Sequence, residues 1–350
     1  MSDTHPLIFD GHNDVLLQLH SHDVDVSEFG TGLDGAIDLP KAKSGGLGGG
    51  FFAIYVPSGN DGIDEADQMN QSSYDLPLPD PLELSRASQI AQVQASILIQ
   101  LQQQDALQIC TTSAQIEDCL QKGILAAIMH MEGADAIDED FHALNLFYQA
   151  GLRSLGLVWS RPNRFGHGVP FRFPSDGDIG PGLTEKGIEL VRRCNEMKIM
   201  LDLAHLNEAG FWDVAKTSDA PLIATHSNVH QLCASSRNLT DEQLAAIAES
   251  DGMVGVNFAV AFLRSDGQKN VDTSLEEVLR HIDYLIEKVG EDRVGFGSDY
   301  DGADVPLEIE TAAQLPNLRD AMRSHGYNTP LMEKLCHKNW LRVLKLTWGE

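Results

Sequence analysis

The sequence predicts a (β/α)8 barrel, and two observations lead to this fold class. Short apolar runs alternate with segments of helical periodicity along the 350 residues, a pattern that favours a parallel sheet covered by helices on both faces. Eight such runs over this length favour a closed barrel over an open doubly wound sheet. Because we find neither an internal repeat nor a convincing linker, we expect one barrel domain over residues 1–350.

Each candidate strand is a short apolar run, as expected of a strand that is buried on both faces. Amphipathic segments fill the gaps between the runs and supply the crossover helices that parallel strands require. In chain order, the candidate strands cover residues 7–9, 50–56, 124–131, 152–159, 199–204, 221–225, 253–258 and 294–298.

The helices are predicted from periodicity and from their first residues. The longest helical pattern covers residues 84–104 and is rich in glutamine. The sequences TDEQ at 240–243 and TSLE at 273–276 are typical of capping boxes, in which two side chains satisfy free amides at the start of a helix. We expect the last helix to begin with Thr329 as the N-cap and Pro330 in the first helical position.

Two glycine-rich segments predict irregular structure. The run GGLGGG at 45–50 lacks the Lys-Ser/Thr pair of a phosphate-binding loop and precedes a strand, so we interpret it as a tight turn. The segment 57–81 is rich in Gly, Asp, Ser and Pro, and we expect it to form a loop over one end of the barrel.

The chain is strongly acidic, with a formal net charge of −27. This charge repels phosphate backbones and anionic lipid surfaces, so we expect neither nucleic acid nor a membrane as a partner. The sequence has no apolar run of membrane-helix length, no signal-peptide pattern and no CxxC spacing among its five cysteines. We therefore expect a cytoplasmic protein with reduced thiols, and we consider a homodimer as its assembly.

Imidazole and carboxylate side chains follow several of the apolar runs. Because the carboxyl ends of the strands in a parallel barrel meet on one face, where active sites form, we expect these side chains to converge. For any one histidine, a hydrogen-bonded place in the core is the more common role, and HxD alone is a weak motif. The convergent set is His12, Asp14, Glu132, His205, His226 and Asp299, with Asp301 just beyond the last strand.

This convergence predicts a metal centre. Burying unpaired ions costs several kcal/mol each, and imidazole together with carboxylate suits zinc or a similar divalent ion. Five ligands exceed the three protein ligands of a typical catalytic zinc site, so two metals that share one carboxylate are the economical arrangement. Glu132, central in strand order, is then the bridge, and Asp299 remains as a base beside metal-bound water.

Six motifs resemble those of the membrane (renal) dipeptidase family of zinc metallopeptidases, in its bacterial type. They are DGHND, MEGADAID, LGLVWSRPN, MLDLAHLNEAG, IATHSNVHQLCASSRNLTD and VGFGSDYDG. The resemblance runs from about residue 7 to about residue 345 and implies a (β/α)8 barrel with a binuclear zinc site that hydrolyses dipeptides. We expect no membrane attachment, because the signal and lipid anchor of vertebrate members have no counterpart in this sequence.

The resemblance also implies residue roles. Asp299 matches the acidic residue taken as catalytic, and Arg237 matches the arginine that binds the substrate carboxylate. For the two Zn2+ ions, it implies that one is held by His12 and Asp14 and the other by His205 and His226, with Glu132 bridging them.

The chain departs from the vertebrate members after the fourth strand. A histidine placed there to polarise the scissile carbonyl is replaced here by Trp159, which we place with Arg237 among the substrate-binding residues. Bacterial-type members also carry tryptophan here, so we expect altered specificity without loss of catalysis. Arg161, Arg164 and His167 follow in SRPNRFGHG; each could reach the site, or the segment is a structured lid without a catalytic role.

Together these features predict a binuclear zinc dipeptidase. It would hydrolyse L-Xaa-L-Xaa and L-Xaa-D-Xaa dipeptides through a metal-bridging hydroxide, with Asp299 as the base. One alternative is another barrel metallohydrolase, a deaminase or cyclic amidase, although those families usually show HxH after the first strand and this chain has HxD. The other alternative is a non-catalytic binding protein on the same scaffold, which the complete ligand set disfavours.

Overall fold

Eight parallel strands close into a barrel in the computed structural model, which describes residues 5–22, 24–58 and 68–349. Each strand pairs with the next one along the chain, and the last returns to the first, where Asp10 lies opposite Phe296. The strands are β1 (Ile8–Asn13), β2 (Leu47–Tyr55), β3 (Ala126–Glu132), β4 (Leu152–Gly156), β5 (Met200–Asp202), β6 (Ile223–Ala224), β7 (Met253–Asn257) and β8 (Val294–Gly297).

All eight predicted strands are present, and the predicted barrel is confirmed. The bounds differ most where the chain leaves the sheet at its carboxyl end. Strand β4 ends at Gly156, although the apolar run continues to Trp159. Strand β6 contains only Ile223–Ala224, and the preceding Pro221 has no amide hydrogen to contribute to a ladder.

Within the described part of the chain, three further short strands lie outside the ring of eight. Gln108–Ile109 pairs with the beginning of β3. Tyr74–Asp75 pairs in antiparallel fashion with Arg172–Phe173, and this small sheet packs on Phe262, which follows β7. The segment 57–81 therefore includes a strand at the carboxyl end of the barrel, while residues 59–67 lie outside the described residues.

Helices surround the barrel. Among the described residues, no helix combines the length and the apolar character needed to cross a bilayer. The α-helices are Val15–Ser21, Leu39–Gly45, Leu84–Gln103, Ser113–Lys122, His142–Ala150, Glu185–Met197, Glu208–Thr217, Asp241–Glu249, Val260–Leu263, Leu275–Val289, Leu315–His325, Thr329–Glu333 and Asn339–Trp348. Short 3-10 turns lie at Val26–Gly30, Ala134–Ala136, Glu291–Arg293, Leu307–Ile309 and Ala312–Gln314, and a π-helical turn lies at Lys334–Lys338.

The predicted N-caps agree with the structure at one helix and differ at two. The capping box between Thr240 and Gln243 is present. The second box is wrong: Ser274, one residue after the predicted threonine, is the N-cap, and its side chain accepts from the amide of Glu276. For the helix Thr329–Glu333, the N-cap is Asn328, whose extended backbone lets its side chain accept from a free amide.

The glycine run at 45–50 is only partly a turn. Gly46 ends the preceding helix with a left-handed φ of 71°, which glycine adopts without strain. The rest of the run belongs to β2, so the predicted turn is wrong beyond Gly46. A Cβ at Gly49 would lie 2.4 Å from the carbonyl oxygen of Ala126, and the missing side chain therefore allows β2 and β3 to pack closely.

The amino end of the barrel is filled by Trp340 from the C-terminal helix. The indole is fully buried, packs 5.1 Å from the ring of Phe51, and donates from Nε1 to the carbonyl of Phe296 at 3.1 Å. Space for it comes from small residues, because a Cβ at Gly11 would lie 2.5 Å from the indole. Its apolar neighbours in this cluster include Phe9, Ile128, Met200, Ile223 and Met253.

Trp340→Ala is expected to lower the free energy of unfolding by about 3–5 kcal/mol, because it empties a closely packed space. The matched control is Leu346→Ala on the same helix, where the side chain is 49% exposed and a change within about 0.5 kcal/mol is expected. Urea unfolding monitored by circular dichroism measures both variants. If both variants lose the same free energy of unfolding, Trp340 does not fill the amino end of the barrel as described.

Candidate metal centre

The five predicted metal ligands lie at the carboxyl ends of four strands. His12 is in β1, and Asp14 lies just beyond β1 as the N-cap residue of the helix Val15–Ser21. Glu132 is the last residue of β3. His205 and His226 lie in the turns that follow β5 and β6. All five side chains are buried.

These five side chains meet around one carboxylate oxygen. Oε1 of Glu132 lies 3.0 Å from Nε2 of His205 and 3.6 Å from Nε2 of both His12 and His226. The Nε2 atoms of His205 and His226 are 3.0 Å apart, and Nε2 of His12 lies 3.2 Å from Oδ2 of Asp14. The predicted convergence is therefore present in the structure.

The donor atoms form two groups that share Glu132. One group is His12, Asp14 and Glu132, and the other is Glu132, His205 and His226; within each group the ligand atoms lie within 4.8 Å of one another. Each group could hold a metal ion with imidazole and carboxylate donors. Two further groups include His12 with other partners: His226 and Asp299 in one, His130 and Asp202 in the other.

The chemistry of this donor set fits divalent cations. Among the described residues, Nδ1 of His12 and Oδ1 of Asp14 are buried without a hydrogen-bond partner. Burial holds the pKa of His205 and His226 well below the usual range, and nearby cations such as Arg237 and His12 add to this effect. Both imidazoles are thus neutral at neutral pH, which is the form that binds a metal.

His12 and Glu132, which belong to the group with Asp14, both have raised pKa values, but for different reasons. Burial opposes the charged form of His12, but the carboxylates of Glu132 and Asp14 outweigh it and hold the pKa of His12 well above its usual range. Burial raises the pKa of Glu132 well above normal. A bound cation would reverse both shifts, since it favours ionised carboxylates and neutral imidazoles.

Asp299 lies beside this cluster, directly after β8. Its backbone has a left-handed φ of 62°, and its amide donates to the carbonyl of His12 at 3.0 Å. Its Oδ2 accepts a hydrogen bond of 2.9 Å from the side-chain amide of Asn257. Asp299 and Glu132 both line a cavity of about 280 Å³ that opens above the barrel.

Arg237 lines the same cavity and is more buried than a loop position suggests, with only 3% of the residue exposed. Its Nη2 lies 3.2 Å from Nε2 of His205 and donates to the carbonyl of His226 at 3.4 Å. Among the described residues, its Nε has no partner. Because Nε2 of His205 has one lone pair, a metal ion bound at that atom would replace the contact with Nη2.

Trp159 belongs to an aromatic wall of the cavity. Its ring centroid lies 5.3 Å from that of Tyr55 and 5.8 Å from those of Phe171 and His205. Phe171 in turn packs 5.8 Å from Phe262, over which the guanidinium of Arg237 lies at 5.5 Å. The wall thus runs from β2 to Arg237 and makes one side of the cavity apolar.

Of the three basic residues that follow Trp159, Arg161 lies over the rings of Tyr55 and Trp159, and none of the three is among the residues that line the cavity. Arg161 is fully buried, pairs with Asp135 at 3.2 Å and donates to the carbonyl of Val56. Arg164 donates to the carbonyls of Asp135 and Ile137. Within the described residues, the alternative of a structured segment therefore agrees better with the contacts than a catalytic role for this trio.

Several polar side chains hold the cluster in place, and two of them, Asp202 and His130, were missed from the sequence. Asp10 accepts from the amide and the hydroxyl of Ser298, at 2.6 and 2.7 Å, and so fixes β8 just before Asp299. Asp202 lies in the apolar strand β5, and His130 lies two residues before Glu132 in β3. A charged residue inside an apolar run, and the two-residue alternation of a strand, are the signals that could have identified them.

Comparisons with known proteins agree with this geometry. The family model for membrane dipeptidases, peptidase family M19, matches residues 3–347. A crystal structure of a metallopeptidase from Rhodobacter sphaeroides, liganded with a phosphinate mimic of the dipeptide L-Ala-D-Ala, is similar with a TM-score of 0.97 and 51% identity, covering 99% of this chain and 100% of that one. A crystal structure of the dipeptidase AC, an M19 metallopeptidase, is similar with a TM-score of 0.95 and 51% identity, and the match again covers 99% of this chain and 100% of that one.

A relative from Klebsiella pneumoniae extends the similarity. This uncharacterised protein, from the region 5′ of pqqA, is 49% identical over 259 residues, which cover 73% of this chain and 96% of its own length. The family match extends over all eight barrel strands and includes the five predicted metal ligands and Asp299. The chain therefore belongs to the membrane dipeptidase family, peptidase family M19, and is a metallopeptidase, a hydrolase of peptide bonds.

Proposed function

We propose that this family member is a binuclear zinc dipeptidase that hydrolyses L-Xaa-L-Xaa and L-Xaa-D-Xaa dipeptides. The observation that carries the proposal is that two groups of side chains that could hold a metal ion share Glu132, which also lines the cavity. In this proposal His12 and Asp14 hold one ion, His205 and His226 hold the other, and Glu132 binds both. The mixture of imidazole and carboxylate donors favours zinc.

In the proposed reaction the metal ions would activate the water and the carbonyl, and Asp299 would transfer the proton. Two zinc ions in this site would lower the pKa of bound water from about 15.7 toward 7 and polarise the scissile carbonyl. Asp299 would accept the proton of the attacking water and deliver it to the leaving amine nitrogen. In the absence of metal, burial raises the pKa of this carboxyl.

Arg237 would bind the free carboxylate of the substrate. Its buried guanidinium lies beside His205, and its Nε is without a partner among the described residues, so a bidentate carboxylate would supply the acceptor that Nε lacks. Because this clamp lies next to the predicted metals, it would favour dipeptides over longer peptides. The phosphinate mimic of L-Ala-D-Ala held by the Rhodobacter sphaeroides metallopeptidase supports this substrate class.

The metal proposal predicts about two zinc ions per chain by elemental analysis, together with dipeptidase activity that is lost on chelation and restored by zinc. Glu132→Gln is expected to weaken both sites, because the shared carboxylate serves both ions. Leu346→Ala, on the exposed face of the C-terminal helix, is the control and should keep both metals. Full activity in a metal-free preparation would refute the proposal, and loss of only one ion from Glu132→Gln would refute the bridge.

Asp299→Asn is expected to keep the metal content and to lower kcat by about 100-fold or more, the usual scale for a general acid–base. Asparagine tolerates the left-handed backbone at this position, so the fold should be retained. Asp304→Asn is the control, because Asp304 lies at the mouth of the same cavity and its half-exposed side chain pairs with Lys269. Loss of metal from Asp299→Asn would instead identify the residue as a ligand.

Arg237→Lys is expected to raise KM for dipeptides strongly while metal content stays intact. A lysine cannot reproduce the planar fork of arginine, and loss of a charged hydrogen-bond pair in a buried site costs about 2–5 kcal/mol in kcat/KM. The parent enzyme should discriminate against a dipeptide amide by a similar factor. If the parent hydrolyses a dipeptide and its amide equally well, the carboxylate clamp is wrong.

A further inference from the structure

A chain of buried polar side chains continues from His226 into the barrel. Nδ1 of His226 lies 2.8 Å from the hydroxyl oxygen of Thr225. That hydroxyl lies 2.6 Å from Oδ2 of Asp202 on β5. All three side chains are almost fully buried, so water does not replace these hydrogen bonds.

The number of protons available determines which atom donates in each of these hydrogen bonds. Oδ1 of Asp202 already accepts two backbone amides, from Ala204 at 3.0 Å and from Thr225 at 2.9 Å. In its ionised form Asp202 only accepts hydrogen bonds, so the single hydroxyl proton of Thr225 then points to Oδ2 of Asp202. The hydroxyl oxygen must then accept from Nδ1–H of His226. The neutral imidazole therefore carries its proton on Nδ1, and its Nε2 lone pair faces Glu132 and His205.

We propose that Asp202 and Thr225 are positioning residues that fix the tautomer and the ring orientation of His226 for metal binding. The inference rests on the proposed function, because it gives His226 a metal to bind. A histidine ligand is commonly oriented by a hydrogen bond from its second ring nitrogen. Here a hydroxyl stands between the imidazole and the carboxylate, so the charge of Asp202 acts through Thr225.

The other two histidines of the cluster lack such a chain. Nδ1 of His205 lies 3.0 Å from the hydroxyl of Ser160, and no carboxylate hydrogen bond to that hydroxyl is present among the described residues. Nδ1 of His12 has no partner there. Of the three histidines, His226 is therefore the one whose tautomer is most strictly determined by its surroundings. We expect the metal ion between His205 and His226 to be the one whose binding depends on Asp202.

The carboxylate of Asp202 also faces His130, and the hydrogen-bond partner of His130 provides a control residue. Nε2 of His130 lies 3.6 Å from Oδ2 of Asp202, and its Nδ1 lies 2.8 Å from the hydroxyl of Ser154. Ser154 is as buried as Thr225 and carries a hydroxyl in the same network. It does not contact His226, so Ser154→Ala should not change metal binding.

The test is the zinc affinity of the full chain, measured by competition with a chromogenic chelator. Thr225→Val keeps the shape and removes the acceptor for Nδ1–H, and we expect the affinity for one of the two ions to fall by about 10–100-fold. Thr225→Ser should restore it. Asp202→Asn should weaken the same ion at least as much, because its NH2 would donate to Thr225, reverse the chain and place the imidazole proton on Nε2.

The outcomes separate this inference from the proposed function. A parent chain that binds no zinc would contradict the proposed function itself. Two ions in the parent, with Thr225→Val and Asp202→Asn binding them equally tightly, would overturn only the positioning role. A Thr225→Ser variant as weak as Thr225→Val would also overturn it, because the serine hydroxyl supplies the same acceptor. Thermal unfolding of each variant without metal shows whether any loss reflects a damaged fold.

Discussion

The carboxylate of Glu132 is buried among three imidazole rings and a second carboxylate, and this crowding is the constraint on which the rest of the site depends. Such a cluster is costly in a dry interior unless a cation neutralises it. Burial keeps His205 and His226 in the neutral form that can bind a metal. The barrel supplies the convergence, because the ends of four strands bring these side chains to one place.

The surrounding polar side chains make that convergence precise. Asp10 holds β8 through Ser298, Asn257 holds the carboxylate of Asp299, and Thr225 links His226 to Asp202. At the opposite end, Trp340 fills the space that small residues leave. The barrel therefore has an apolar amino half that supplies burial and a polar carboxyl half in which hydrogen bonds fix the donors.

The sequence allowed the barrel and the five convergent residues to be predicted, because apolar runs and the polar residues that end them are local features. Other features depend on contacts between distant segments. Thr273 was taken for a cap that Ser274 provides, since backbone conformation selects the capping residue. Arg237 is buried against His205, a contact between segments that are 32 residues apart in the sequence. The partnership of Asp202 with Thr225 joins residues on neighbouring strands, and no local pattern indicates it.

The central claim is that two zinc ions share Glu132. Anomalous X-ray diffraction from crystals of the zinc-loaded protein, recorded above and below the zinc absorption edge, tests it most directly. Two zinc ions that share Glu132 should give two zinc peaks per chain on either side of its carboxylate, one beside His12 and Asp14 and the other beside His205 and His226. A single peak, or a second peak bound by His130 and Asp202, would contradict it.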